Sequence, residues 1–185
     1  MSSVTRSTVT LHVVASLDGF IARKDNSVSW MDSSDVYEKG VADDDGDDVI
    51  ESIDCYVLGS RTYETALELG WPYGDTPTVV MTQRTLPSTR DSVEFYSGDP
   101  KRLVEEILSP RYKNVWLVGG AMVGQSFLKL GLVDEIRLIV APVTLGNGLH
   151  LFGDSGIEQK WHLKNVVGYK NGFVELSYRR QSTDS

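Results

Sequence analysis

Three short polar turns in this chain could bind an anion through backbone and guanidinium N–H groups. The most informative is Gly119-Gly120, which follows Val115-Trp116-Leu117-Val118 and opens Ala121-Met122-Val123-Gly124-Gln125-Ser126-Phe127-Leu128. It reads as a buried strand, a tight turn and a helix. Glycine there lets the backbone approach a ligand and take positive φ. The free N–H groups of a helix start suit a phosphate. A glycine turn between strand and helix also serves packing alone, so its meaning depends on its neighbours. Gly59-Ser60-Arg61-Thr62 follows the apolar run Cys55-Tyr56-Val57-Leu58, and Thr82-Gln83-Arg84 follows Thr78-Val79-Val80-Met81. Ligands of open α/β sheets bind beyond the carboxyl ends of strands. Together the three turns suit a dinucleotide with an extra phosphate. The glycine turns would hold its pyrophosphate, and Arg61 and Arg84 would pair with a 2′-phosphate, which favours NADP over NAD. Either arginine by itself reads equally as a solvated surface residue.

The elements that must position these turns follow from the apolar pattern. Val9 to Ala15 reads as the first strand, Ser16-Leu17-Asp18-Gly19 as a turn, and Phe20-Ile21-Ala22 as a short extension. Residues 23–35 are polar and irregular, and the pattern predicts a helix over Ser34 to Val41. Asp43-Asp44-Asp45-Gly46-Asp47-Asp48 reads as a solvated loop and helix start rather than a calcium loop, whose ligand spacing it lacks. Strands are expected over Cys55–Leu58, Thr78–Met81, Val93–Tyr96, 115–118 and Glu135–Ala141, with a helix over Thr62 to Leu69. Asp99-Pro100 caps a helix carrying Leu103, Val104, Ile107 and Leu108 at helical spacing. Trp161 to Tyr169 and Gly172 to Arg179 alternate around Lys170-Asn171, which is a hairpin pattern. The sum is an α/β domain: a mainly parallel mixed sheet, helices on both faces and an antiparallel C-terminal hairpin. Gln181 to Ser185 read as a loose tail.

A chain of 185 residues suits one domain. A net charge of −8 argues against non-specific nucleic-acid binding. No stretch is apolar enough to span a bilayer, and the first residues lack a signal-peptide core, so the expected location is cytoplasmic. Cys55, the one cysteine, reads as a core residue. His12, His150 and His162 have no partners at zinc-ligand spacing, so no metal is expected.

No Gly-x-Gly-x-x-Gly follows the first strand, so the Rossmann fingerprint is absent. The chain instead resembles the dihydrofolate reductase superfamily. More closely it resembles the branch holding the reductase domain of the bifunctional riboflavin-biosynthesis deaminase-reductase and its stand-alone relatives. The resemblance covers about residues 8–180. It rests on Ala15-Ser16-Leu17-Asp18-Gly19-Phe20-Ile21-Ala22, Leu58-Gly59-Ser60-Arg61-Thr62-Tyr63, Val118-Gly119-Gly120-Ala121 and Pro142-Val143-Thr144-Leu145-Gly146-Asn147-Gly148 in that order.

The resemblance implies a dihydrofolate-reductase-like three-layer fold and NADPH as cofactor. Ala15 and the backbone after it would hold the nicotinamide amide. Gly59, Ser60, Arg61 and Thr62 would contact phosphates, Thr82 and Arg84 the adenosine end, and Gly119, Gly120, Ala121 and Met122 the pyrophosphate. A substrate would lie among Asp18, Trp30 and the first helix. Dihydrofolate reductases carry a carboxylate five residues after a tryptophan, on the first helix, which anchors the pterin. Trp30 and Asp35 have that spacing, so Asp35 is the candidate anchor, although Ser34 and Asp35 equally suit a helix cap. Asp32 competes for the role, and Asp18 is the counterpart in the riboflavin-type branch. A carboxylate that manages a proton should be partly buried, with a raised pKa.

The chain lacks the His-x-Glu and Pro-Cys-x-x-Cys pair of a deaminase partner. Its segment Tyr63 to Pro72 looks more like the folate reductases, and its acidity suggests no cluster for a phosphate-bearing substrate. The expected function is an NADPH-dependent reductase of a pteridine- or pyrimidine-like heterocycle. The nearest named activity is 5-amino-6-(5-phosphoribosylamino)uracil reduction. Dihydrofolate reduction proper, a non-catalytic NADP-binding relative and a nucleotide-independent interaction domain are the alternatives. Relatives often form homodimers, and Phe152, Trp161 and Tyr178 would be candidates for an interface or for the core.

Overall fold

A computed structural model describes residues 6–41, 50–153 and 156–181. The acidic run 43–48 lies outside the described residues, as does the tail after Gln181. The strands are β1 (Thr8–Ser16), β2 (Phe20–Ala22), β3 (Cys55–Gly59), β4 (Thr78–Met81), β5 (Val93–Tyr96), β6 (Asn114–Gly119), β7 (Glu135–Ala141), β8 (Leu149–His150), β9 (Trp161–Gly168) and β10 (Val174–Arg180). The helices are α1 (Ser60–Glu68), α2 (Pro100–Arg102, continued by Leu103–Leu108) and α3 (Ala121–Lys129).

Eight strands make one sheet in the order β5-β4-β3-β6-β1-β7-β10-β9, while β2 and β8 pair separately. β5 through β7 in that order run parallel, and β10 is antiparallel to both β7 and β9. Alternation along β1 decides its two faces. Val9, Leu11, Val13 and Ala15 join the main core with Leu103, Val104 and Leu108 of α2 and Phe127 and Leu128 of α3. Cys55 lies in the same core, where burial pushes its thiol up to about 12. α1 covers the opposite face, where Tyr63 and Ala66 pack with Tyr56, Leu58, Val80 and Trp116. Helices therefore lie on both faces, as the alternation of strand and helix patterns predicts. No helix among the described residues is long and apolar enough to cross a membrane.

Asp99 caps α2 by accepting from the Lys101 and Arg102 N–H groups at 2.7 and 3.1 Å, with Pro100 at the first turn. α2 then widens, and the Ser109 N–H reaches back to the Val104 carbonyl. Trp161 and Tyr178 are half-buried against the main core, whereas Phe152 is 53% exposed.

The expected helix over Ser34–Val41 does not form. That segment is irregular and crosses the C-terminal hairpin as a strap. The Tyr37 N–H donates to the Lys170 carbonyl at 2.8 Å, and Val41 bridges Tyr169 in parallel. A Cβ on Gly40 would meet the Tyr169 backbone at 2.5 Å, so the chain lies flat against the turn. Backbone partners supplied by the hairpin outcompete helical ones, which is a tertiary override of a short local pattern.

On the α1 face, a polar band crosses the middle strands. His12 stacks on Trp116 at 4.5 Å, and the Arg137 guanidinium lies 5.4 Å from the Trp116 ring centre. Arg137 donates Nε–H to Glu175 at 2.8 Å, and Tyr169 donates its hydroxyl to the same carboxylate at 2.9 Å. Burial, and then the charge of Arg137, hold the His12 imidazole down at about 4.

Candidate functional site

The carboxyl ends of β3, β6, β1 and β7 adjoin in that order, and the candidate site runs along them. On the β3–β6 side, two glycine turns meet. Val57 pairs with Leu117 and Leu58 with Gly119, so Val118 is an extra residue that kinks β6 just before its turn. Gly119 takes φ +122°, which an L side chain rarely adopts. Gly120 and Gly59 precede α3 and α1, and neither helix has a side-chain N-cap. The first N–H groups of both helices are thus left for something else to satisfy.

One of these groups is already taken within the protein. The Gly120 N–H donates to Thr62 Oγ1 at 2.9 Å, which stitches the two turns together. Within 4 Å, a Cβ on Gly120 would meet only that hydroxyl, at 3.6 Å, so the space over the turn is open. Gly59 differs, since a Cβ there would lie 3.1 Å from Val123 Cγ2. Its absence of a side chain lets α3 lie close to β3, so packing accounts for this glycine. Met122, the second residue of α3, is 82% exposed beside the turn. Ser60 opens α1, and Ala15 is buried in the main core, leaving only its backbone for contacts.

The basic residues gather at the start of α1. Arg61 donates to Asn26 Oδ1 at 3.2 Å. Arg84 forks onto Glu64 at 2.7 and 3.0 Å, and its own N–H donates to Thr82 Oγ1 at 2.9 Å. Arg84 first, and Arg61 by its charge, hold the Glu64 carboxyl below its ordinary value. Sequence reasoning brought Arg61 and Arg84 together but missed Glu64 between them. Its place four residues before Glu68 in a helix gave no signal of a partner beyond the helix.

On the other side of β1, a cavity of about 760 Å³ is lined by Arg23, Trp30, Asp32, Ser33, Ser34, Asp35, Pro142 and Val143. Trp30 and Asp35 share this cavity, with Asp32 beside them. Asp35 reaches it from the strap rather than from a helix, and it is exposed. It also lies against the hairpin, for a Cβ on Gly172 would strike its carboxylate. Trp30 packs with Ala141 and Phe173, and its buried Nε1 has no hydrogen-bond partner among the described residues. A buried N–H without an acceptor costs about 1–3 kcal/mol, so an acceptor on a ligand would be welcome there.

Asp18 does not line this cavity. Its carboxylate accepts from Ser16 Oγ at 2.6 Å and from the Leu145 and Gly146 N–H groups at 3.0 and 2.7 Å. The Ser16 hydroxyl, then the loop N–H groups, bring its pKa down to about 2. Asp18 is a clamp that ties the end of β1 to the loop after β7. Leu17 adds a second tie, its N–H donating to the Val143 carbonyl at 2.8 Å. Sequence reasoning also passed over Arg23, which became visible as a site residue only when the loop after β2 was folded back.

A family model described as the RibD C-terminal domain matches residues 7–174. The uncharacterized protein YwjB of Bacillus subtilis (strain 168) is 32% identical over 172 residues, which covers 92% of this chain and 96% of the relative. A putative riboflavin biosynthesis protein from Shewanella sp. PV-4 shares the fold at a TM-score of 0.81 and 23% identity, covering 95% of this chain and 99% of that one. The dihydrofolate reductase of Enterococcus faecalis, solved with NADP(H), superposes at a TM-score of 0.64 and 15% identity, covering 95% and 97%. The fold is dihydrofolate-reductase-like, and the chain belongs to the RibD C-terminal domain family.

Proposed function

We propose that this protein is an NADPH-dependent reductase of a pteridine- or pyrimidine-like heterocycle. One observation carries the reading: the end of β1 lies between the uncapped start of α3, which follows its neighbour β6, and the open cavity on its β7 side. Membership of the RibD C-terminal domain family supports a reductase of the riboflavin-biosynthesis type. The two uncapped helix starts and the open space over Gly120 fit a pyrophosphate. Arg61 and Arg84 fit a 2′-phosphate, with Glu64 as its competitor for Arg84. Bound there, NADPH would supply the hydride.

This chain's own residues would do the rest. Asp35, with Asp32, would accept N–H groups of the heterocycle edge, and the Trp30 indole would donate to a ring acceptor. Asp18 stays a carboxylate at every physiological pH, because its pKa is held near 2, so it does not deliver a proton. It holds the loop at Leu145 and Gly146, and beside it the Leu17 N–H holds Val143, one wall of the cavity, against β1. The cavity is open to solvent, so water is the proton source that this arrangement offers. The reading includes a cytoplasmic enzyme and, from its relatives, a homodimer.

Calorimetric titration with NADPH and separately NADH is the first test. Tight NADPH and weak NADH binding is expected, and equal or absent binding of both would sink the cofactor assignment. Loss of NADPH absorbance with 5-amino-6-(5-phosphoribosylamino)uracil, and with dihydrofolate in parallel, then identifies the acceptor. Turnover of dihydrofolate blocked by an antifolate would favour the second reading, dihydrofolate reduction, which the shared Trp30–Asp35 cavity also accommodates.

A further inference from the structure

We propose that Arg23 is a specificity-determining residue, selecting a heterocycle that carries an acidic substituent, carboxylate or phosphate, over its neutral counterpart. The inference rests on the cavity being the substrate's place. Arg23 is the one cation among the described residues that line it.

Arg23 follows β2 at the root of a tight loop. Its N–H donates to the Ser27 carbonyl at 3.1 Å, its carbonyl accepts from the Asn26 N–H at 2.9 Å, and Asn26 takes φ +67° to close the turn. The residue is thus fixed by backbone bonds, not by its side chain. The guanidinium donates through Nη1 to Ser29 Oγ at 3.0 Å and, more weakly, to Ser27 Oγ at 3.4 Å. Both partners are neutral. The Nε and Nη2 donors have no acceptor among the described residues, and no carboxylate there comes within ion-pair distance. Arg84, Arg111 and Arg137 behave otherwise, each held by a glutamate. Arg23 is half-buried, so its charge is less screened than that of an exposed side chain.

The rest of the lining sets the ligand's orientation. Asp32 and Asp35 are acceptors only and repel an acid, so the N–H edge of a heterocycle belongs on their side. An acidic substituent then belongs at Arg23, whose free fork matches the two oxygens of a carboxylate or phosphate. A ligand with an N–H-rich ring at one end and an acid at the other answers every charge in the cavity. A neutral ring leaves Arg23 with only the longer-range charge of Asp25, on its own loop, opposite it.

The test uses the full chain saturated with NADPH and two matched probe pairs: pterin against pterin-6-carboxylate, and uridine against uridine 5′-phosphate. Binding is measured by calorimetry for the native protein, Arg23→Ala and Arg23→Lys. The acidic member of at least one pair should bind about tenfold or more tightly than the neutral one, as a charge-assisted fork implies. Arg23→Ala should erase that ratio by weakening the acidic probe far more than the neutral one, and Arg23→Lys should keep part of it. The pair that shows the ratio tells carboxylate from phosphate. A ratio unchanged in Arg23→Ala overturns the role of Arg23 and leaves the heterocycle cavity standing. Failure of all four probes to bind the native protein overturns the cavity reading and this inference with it.

Discussion

The two halves of the candidate site are built by opposite means. The β3–β6 half is made of regular elements: strand ends, glycine turns and helix starts, with backbone N–H groups as its chemistry. The β7 half is made of irregular chain, namely the loop after β2, the strap over the hairpin and the loop after β7, and side chains carry its chemistry. In the first half, position is set by hydrogen-bonded secondary structure and core packing. In the second it is set by a few tethers, among them the Asp18 clamp and the contact of Ser33 Oγ with the Asn171 carbonyl at 2.8 Å. A half built on backbone should tolerate side-chain change except at its glycines, whereas a half built on tethers should fail by loosening.

The largest effect should come from Gly59→Val. Val123 is β-branched and stiff in its helix, so the new side chain has no room at 3.1 Å. Overpacking of this kind costs about 2 kcal/mol, read as a lower urea midpoint, and should displace α3 enough to abolish NADPH binding. Native-like stability with native-like binding would refute the close-packed account of that turn. Next, Arg61→Ala should weaken NADPH about tenfold and leave NADH untouched, the loss expected for one charge-assisted contact. Equal losses for both nucleotides would remove Arg61 from the 2′-phosphate.

The tethered half is probed by Asp18→Asn. Faster hydrogen exchange at Leu145 and Gly146 with unchanged NADPH affinity is expected, and loss of NADPH binding would show that the two halves are not separable. The clamp has a pH signature. The folded carboxyl sits at about 2, below its ordinary 3.8, so its contribution is complete above that ordinary value and is lost as pH falls through 2. His12 is distinguished by its range. It is held near 4 against an ordinary 6.5, so the unfolded chain takes up the proton first and stability falls as pH drops from 6.5 towards 4. His12→Asn should flatten that upper range only, as followed by urea midpoints across pH. The smallest effect is a gain. Glu64→Gln should free Arg84 and tighten NADPH by about threefold, within the modest range of exposed ion pairs. Weakened binding instead would show that Glu64 orients Arg84 for the cofactor.

The regular half was the legible one. Strand runs, the Asp99-Pro100 cap and the glycine turns are local patterns, and local hydrogen bonding enforces them wherever the chain goes. The gathering of Arg61 and Arg84 could be anticipated because both follow adjacent parallel strands. The tethered half resisted for the same reason in reverse. The residues of Ser34 to Val41 predict a helix, yet the Tyr37 and Val41 N–H groups find their acceptors more than a hundred residues away on the hairpin. Asp18 carries no sequence signal of the loop whose Leu145 and Gly146 N–H groups its carboxylate accepts. Arg23 offered no motif at all.

By itself, then, the sequence determined the parallel sheet, its antiparallel edge, the helices on both faces and the glycine turns at the carboxyl ends, because periodicity and backbone conformation are properties of contiguous residues. Only the tertiary structure decided which carboxylate is a clamp, which lines the cavity, which arginine is already paired and which is open. Those outcomes depend on what lies opposite a charge in space, and a partner far along the chain leaves no mark on the residues beside it.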